Sequence, residues 1–132
     1  MFALAGLESR FRIVGAHAAR AFSDRTVVFT VQQSGALRFY ASVPTVAWDG
    51  VDPGALDEAV VWFEARGYRA LLALEDAEEG NFRKRFAGEA AGQLDWPARV
   101  EVHAPVRVRI YDPAQRARYL AGERVETEHI WQ

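Results

Sequence analysis

Thr26-Val27-Val28-Phe29-Thr30-Val31 is the stretch that decides the fold. Its residues are β-branched or aromatic, and apolar character runs through them without alternation. That pattern predicts a strand buried on both faces, as in a parallel sheet. Tyr68-Arg69-Ala70-Leu71-Leu72-Ala73-Leu74 is a second run of the same kind. Working outward, residues 3–22 carry Leu4, Leu7, Phe11, Val14, Ala18 and Phe22 at helical spacing, with Arg10, His17 and Arg20 opposite. Gly15 weakens the middle of that helix by about 1 kcal/mol relative to alanine.

After the first strand, Gln32-Gln33-Ser34-Gly35 breaks the run, and Ser34 is the expected cap of a short helix through Leu37 and Tyr40. Val43-Pro44 stops it, because a residue before proline avoids the α region. Residues 45–48 read as a second short strand. Asp52-Pro53 predicts a helix start, a carboxylate cap with proline at the first helical position. Leu56, Ala59, Val60 and Phe63 form its stripe, and Gly67 is its terminating residue. Asp76 and Glu79 have the spacing of a capping box, and the helix they open pairs Phe82 with Phe86. Residues 87–93 read as a loop. Asp112-Pro113 opens a last helix that runs through Leu120 and ends at Gly122.

Residues 99–103 and 106–111 alternate, Val100 and Val102 on one face and Glu101 and His103 on the other. Val106, Val108 and Ile110 repeat the pattern against Arg107, Arg109 and Tyr111. A three-residue hairpin loop opposes Val102 with Val108 and Glu101 with Arg109, which keeps like residues on one face. These elements predict an α/β fold: a three-layer, Rossmann-like mixed sheet with parallel core strands, an antiparallel edge hairpin and helices on both faces. The expected division is an N-terminal helix over 1–25, continuing from a membrane helix if one precedes it, the α/β domain over 26–124, and a C-terminal tail over 125–132.

Composition narrows the chemistry. The chain has 132 residues, half of them apolar, so a single core forms without disulfides. The absence of cysteine excludes thiolate metal sites and cysteine nucleophiles. A net charge of −2, with basic residues spread along the chain, argues against a nucleic-acid partner. No apolar run reaches the roughly 20 residues that span a membrane. His17, His103 and His129 lie on three different segments, and no pair has metal-ligand spacing, so no metal and no cofactor is expected. No serine sits in a nucleophile elbow, and no catalytic residue is assigned.

Two places invite a ligand. Gln33-Ser34-Gly35 lies where the first strand meets a helix, the position at which open α/β sheets bind anions or hydroxylated molecules. Glu75, Asp76, Glu78 and Glu79 gather carboxylates after the third strand, which suits a hard cation, acid–base work or a capped helix start.

Several segments in order carry a resemblance. Gln33-Ser34-Gly35-Ala36-Leu37-Arg38-Phe39-Tyr40 resembles a "Q-H-S-G-S-x-R-Y-Y" stretch, followed by Trp48-Asp49. Gly67-Tyr68 through Leu74-Glu75-Asp76 resembles "G-Y-x-x-Y-L-V-L-E-D", and Glu78 to Phe86 resembles "E-E-x-x-F-R-x-R-F". Leu94-Asp95-Trp96-Pro97 and Val108-Arg109-Ile110-Tyr111-Asp112-Pro113 complete the set. Gln33 and Ala77 depart from it, standing where histidine and tryptophan are common. The pattern is similar to the C-terminal extracytoplasmic domain of polytopic membrane glycosyltransferases of the dolichyl-phosphate-mannose-protein mannosyltransferase type.

The resemblance implies a non-catalytic accessory domain on the periplasmic face of the inner membrane. Its partner would be the membrane-embedded transferase domain of the same protein, which carries the catalytic acid. The polyprenyl-phosphate sugar or the glycan acceptor would be the ligand. Arg38, Tyr40 and Asp49 thereby join Gln33, Ser34, Gly35, Glu75 and Asp76 as candidate ligand-binding residues. The residues alone leave two other readings open: a free-standing small-ligand or regulatory α/β domain, and a small independent enzyme using Ser34 or the Glu75/Asp76 cluster.

Overall fold

The computed structural model describes the backbone of residues 2–131 and the side chains of 9–33 and 35–131. The side chains of Leu4, Leu7 and Ser34, named above for their spacing or position, lie outside the described residues. Helix α1 (Phe2–Ala21) leads into β1 (Thr26–Phe29), α2 (Ser34–Ala41), β2 (Thr45–Val46), α3 (Leu56–Ala65) and β3 (Arg69–Glu75). Then come α4 (Asp76–Arg85), β4 (Val100–His103), β5 (Val108–Tyr111), α5 (Arg116–Leu120) and β6 (Glu128–Trp131).

The strands form one six-stranded mixed sheet in the order β2-β1-β3-β5-β4-β6. The two apolar runs lie side by side and parallel, with Val28 opposite Leu71 and Phe29 opposite Leu72. Every residue of β1 is buried, which is what its unbroken apolar pattern requires. The chain leaves β1 for β2 on one side, then crosses to β3 on the other. With one handedness for both crossovers, α2 and α3 must cover opposite faces. They do: Leu37 of α2 joins Val14, Ala18, Val28, Leu71 and Val102 in one core layer. Leu56 and Val60 of α3 join Phe29, Leu72, Leu74, Phe82 and Phe86 in the other.

The hairpin has the anticipated register, Val102 opposite Val108 and Glu101 opposite Arg109. It does not stand at the rim, however. Residues 128–131, expected to be tail, form β6 and pair in parallel with β4, so β6 is the outer strand. Ile130 packs against the core layer under α1, which anchors β6.

Helix starts differ from the sequence expectation in consistent ways. Helix α2 begins at Ser34 itself, with Gln33 at the cap position. Asp52 does not cap α3: its carboxylate accepts from the Gly54 N–H at 2.9 Å in a turn, and α3 starts later, after Ala55. The box at α4 is displaced by one residue, with Glu75 at the cap and Glu78 accepting the Glu75 N–H at 3.0 Å. Asp112 does cap, accepting from the Ala114 N–H at 3.1 Å, but it opens a 3-10 turn that only then becomes α5.

Two close approaches explain residues that local propensity disfavours. A Cβ on Gly15 would lie 2.6 Å from Cβ of Tyr40, so α1 and α2 touch there only because that atom is missing. Leu94 is 6% exposed yet sits at φ 46°, in the left-handed region, where the chain turns from α4 toward β4. The turn places Trp96 under the sheet, its Nε1–H donating to the Asp112 carbonyl at 3.0 Å and its ring edge-on to Tyr111.

Candidate functional site

The sheet reverses its direction of growth between β1 and β3, so a crevice at their carboxyl ends is the position an open α/β fold offers to a ligand. Gln33 follows β1, and Glu75 ends β3. They meet: Gln33 Nε2 donates to Glu75 Oε2 at 2.8 Å. Arg10 of α1 donates through Nε to the same oxygen at 2.7 Å. Strand alternation explains the meeting, since Leu71 and Ala73 face the layer under α1 and α2, and Glu75 continues that face.

Gln33 is fully buried, and its Oε1 is buried without a hydrogen-bond partner among the described residues. An orphaned buried acceptor costs about 1–3 kcal/mol. Among the described residues it is an acceptor at this crevice with unspent bonding capacity.

On the other face of β3, the carboxylates of α4 are spoken for. Glu78 accepts from the Glu75 N–H through Oε1 and from Trp48 Nε1–H, at 3.2 Å, through Oε2. Burial pushes the Glu78 carboxyl above the usual carboxylate value, and the bonds from Glu75 and Trp48 only partly oppose it. Glu79 Oε2 accepts from Arg109 at 2.9 Å and from the Tyr111 hydroxyl at 3.1 Å. Arg109 also pairs with Asp76. Burial disfavours the Arg109 charge, but the bond to Glu79 and the charges of Glu79 and Asp76 outweigh it and hold the guanidinium protonated. Burial first, and then the Glu79 charge, push the Tyr111 hydroxyl well above the ordinary phenol value.

The eight expected ligand-binding residues therefore divide. Gln33 and Glu75 are in contact, and Asp76 lies on the opposite side of β3, bound to Arg109. The backbone places Ser34 in the first turn of α2. Gly35 and Tyr40 line a shallow hollow of about 380 Å³ with Phe11 and Phe39. Arg38 donates to Thr45 Oγ1 at 3.2 Å on the β2 side. Asp49 is exposed in a 3-10 turn after β2.

Two features escaped the sequence. A cleft of about 550 Å³ opens at the amino ends of β1 and β3, lined by Arg25, Tyr68, Arg69, Arg99, Asp112 and Arg118 among others. Its arginines come from separate segments, so no local run announced it. The second concerns the histidines. Pairing of β6 with β4 sets Glu101 opposite His129 and His103 opposite Trp131. His103 Nε2 and His129 Nδ1 are 2.8 Å apart, and one ligand atom each from Glu101, His103 and His129 falls within 4.8 Å of the others. Sequence spacing gave no sign of this convergence, and its cause is β6, a strand where a tail was expected. The signal was faint: His129 and Trp131 flank Ile130 in a period of two over only four residues.

No helix among the described residues is long and apolar enough to cross a membrane. The chain matches no protein-family model, no curated protein and no solved structure.

Proposed function

We propose that this chain is the non-catalytic accessory domain of a membrane glycosyltransferase that takes sugar from a polyprenyl-phosphate donor. It covers the transfer site of the membrane-embedded part or shapes acceptor binding, on the periplasmic face. One observation carries the reading. The segments that resemble that family, scattered along the sequence, interlock through their polar side chains. Gln33 bonds Glu75, Trp48 bonds Glu78, and Arg109 and Tyr111 bond Glu79. Groups that hold one another in this way build a shaped scaffold, and each oxygen of Glu78 is occupied by a donor of the same domain. That suits a covering or positioning role and leaves bond making to the partner.

The test uses an antibody against the chain in its native host. The product is expected in the membrane fraction, within a polytopic protein or bound to one, and deletion of 26–131 is expected to lower transfer from polyprenyl-phosphate mannose to acceptor. A freely diffusing product with no membrane-spanning partner overturns the proposal.

The unpartnered Gln33 Oε1 favours a second reading, a small-molecule binding domain in which a hydroxyl or amine of the ligand donates to that oxygen. A compound that raises the melting temperature of the wild-type chain but not of Gln33→Met would support it. Equal shifts in both would remove it.

A further inference from the structure

We infer that Glu101, His103 and His129 form a binding site for a divalent transition-metal ion of the zinc class, clamping β6 onto β4. This inference stands independently of the transferase reading. Two imidazoles and a carboxylate are a donor set that suits zinc, nickel or copper over magnesium or calcium. The three side chains share one face of the sheet because Glu101 and His129 are direct neighbours in the β4–β6 ladder and His103 lies two residues along β4. Register therefore fixes their convergence, and no loop has to close.

The two ring nitrogens are 2.8 Å apart and can be that close only with a proton between them. Without it, two lone pairs would repel. A cation takes the place of that proton and satisfies both nitrogens. Two nitrogens bound at about 2.0–2.1 Å to one tetrahedral zinc lie about 3.3 Å apart, so uptake needs the rings to part by about 0.5 Å. His103 is stacked on Trp131 with centroids 3.7 Å apart and planes 12° apart, which holds the ring in orientation while leaving that small slide available.

Glu101 is partly engaged already: Arg107 pairs with it at 3.2 Å and Arg109 at 3.7 Å. Both arginines reach Oε1. They orient the carboxylate, as outer-shell partners of metal ligands do. Glu101 and His103 are half-buried and His129 is exposed, so water completes the coordination.

The experiment is calorimetry of Zn²⁺ into the full chain with no affinity tag, paired with copper quenching of tryptophan fluorescence. One ion per chain is expected at pH 7.5. His103→Gln and His129→Gln are each expected to weaken binding on the order of tenfold or more. Affinity should be lower in acid, because the metal must displace protons. Copper should quench Trp131, so Trp131→Phe loses that part of the quenching and still binds the ion. Zinc should also raise the melting temperature of the wild type, and not of the His129→Gln variant. Circular dichroism of each variant confirms folding before titration. No stoichiometric uptake, or uptake unchanged in both histidine variants, overturns the inference.

Discussion

At the end of β3, Glu75 is 6% exposed and receives Arg10 and Gln33 on one oxygen. On β4, Glu101 receives two arginines on one oxygen; its side chain is 16% exposed and the arginines about half and a quarter. The two glutamates have the same chemistry and similar partners. Depth separates them. In the parallel half of the sheet, a removed partner leaves a charge that water cannot reach. In the outer half, where Arg107 is 46% exposed, water reaches the partners and replaces part of what is lost. The buried carboxylate of Glu75 is therefore committed to the fold, whereas the less buried Glu101 retains freedom to bind something else.

The contrast is sharpest in stability. Glu75→Ala leaves the buried Gln33 amide without its acceptor and takes an ion partner from Arg10, and is expected to cost about 3 kcal/mol, measured by urea unfolding. A loss below about 1 kcal/mol would break the distinction between the halves.

A smaller effect appears as pH dependence, with opposite sign in the two regions. Glu78, beside the parallel strands, has its carboxyl raised by burial. The folded chain then holds that proton more tightly than the unfolded one, so stability falls as pH rises from 4.5 through the folded value. His17 of α1 is 4% exposed, and burial lowers its pKa against the attraction of Glu128 on β6. There the unfolded chain takes the proton more readily, so stability falls as pH drops through 6.5 toward the folded value. Unfolding free energies across this range are expected to lose the alkaline-going decline in Glu78→Gln and the acid-going decline in His17→Leu. An unchanged profile in either variant would assign the slope elsewhere.

The smallest effect belongs to the outer half of the sheet. Glu101→Ala removes partly buried pairs that water can still reach, and Arg109 keeps Asp76 and Glu79, so the expected cost is less than about 1 kcal/mol. A cost near that of Glu75→Ala would show that the outer half depends on its ion pairs as much as the inner one does.

Legibility in the sequence followed the same division. Residues 26–31 and 68–74 announced parallel strands because burial on both faces forces continuous apolar character. The hairpin register was readable because a period of two leaves one pairing that keeps Val102 and Val108 together. Helix caps were less readable. Wherever two acceptors are adjacent, as at Glu75-Asp76, local composition cannot choose between them, and Asp52 was drawn instead into a turn with Gly54. Of the candidate site, Gln33 and Glu75 were both named from the sequence, in two separate places; their contact came only with the structure. Arg10, Arg109 and Trp48 were not placed there, since their approach depends on packing between distant segments. Strand β6 was missed because it is exposed on nearly every residue, so burial left little trace in its composition.

Leu94 shows what rigidity the chain selected at one corner. A left-handed backbone costs a branched residue about 1–2 kcal/mol, and glycine would remove that cost. Leucine is kept because its side chain is buried with Phe82, Phe86 and Trp96, a gain of about 1.5–3 kcal/mol that glycine would forfeit. The bend is thus held from inside by its own anchor. It behaves as a fixed elbow instead of a hinge, and the second half of the sheet is delivered at one angle to the first.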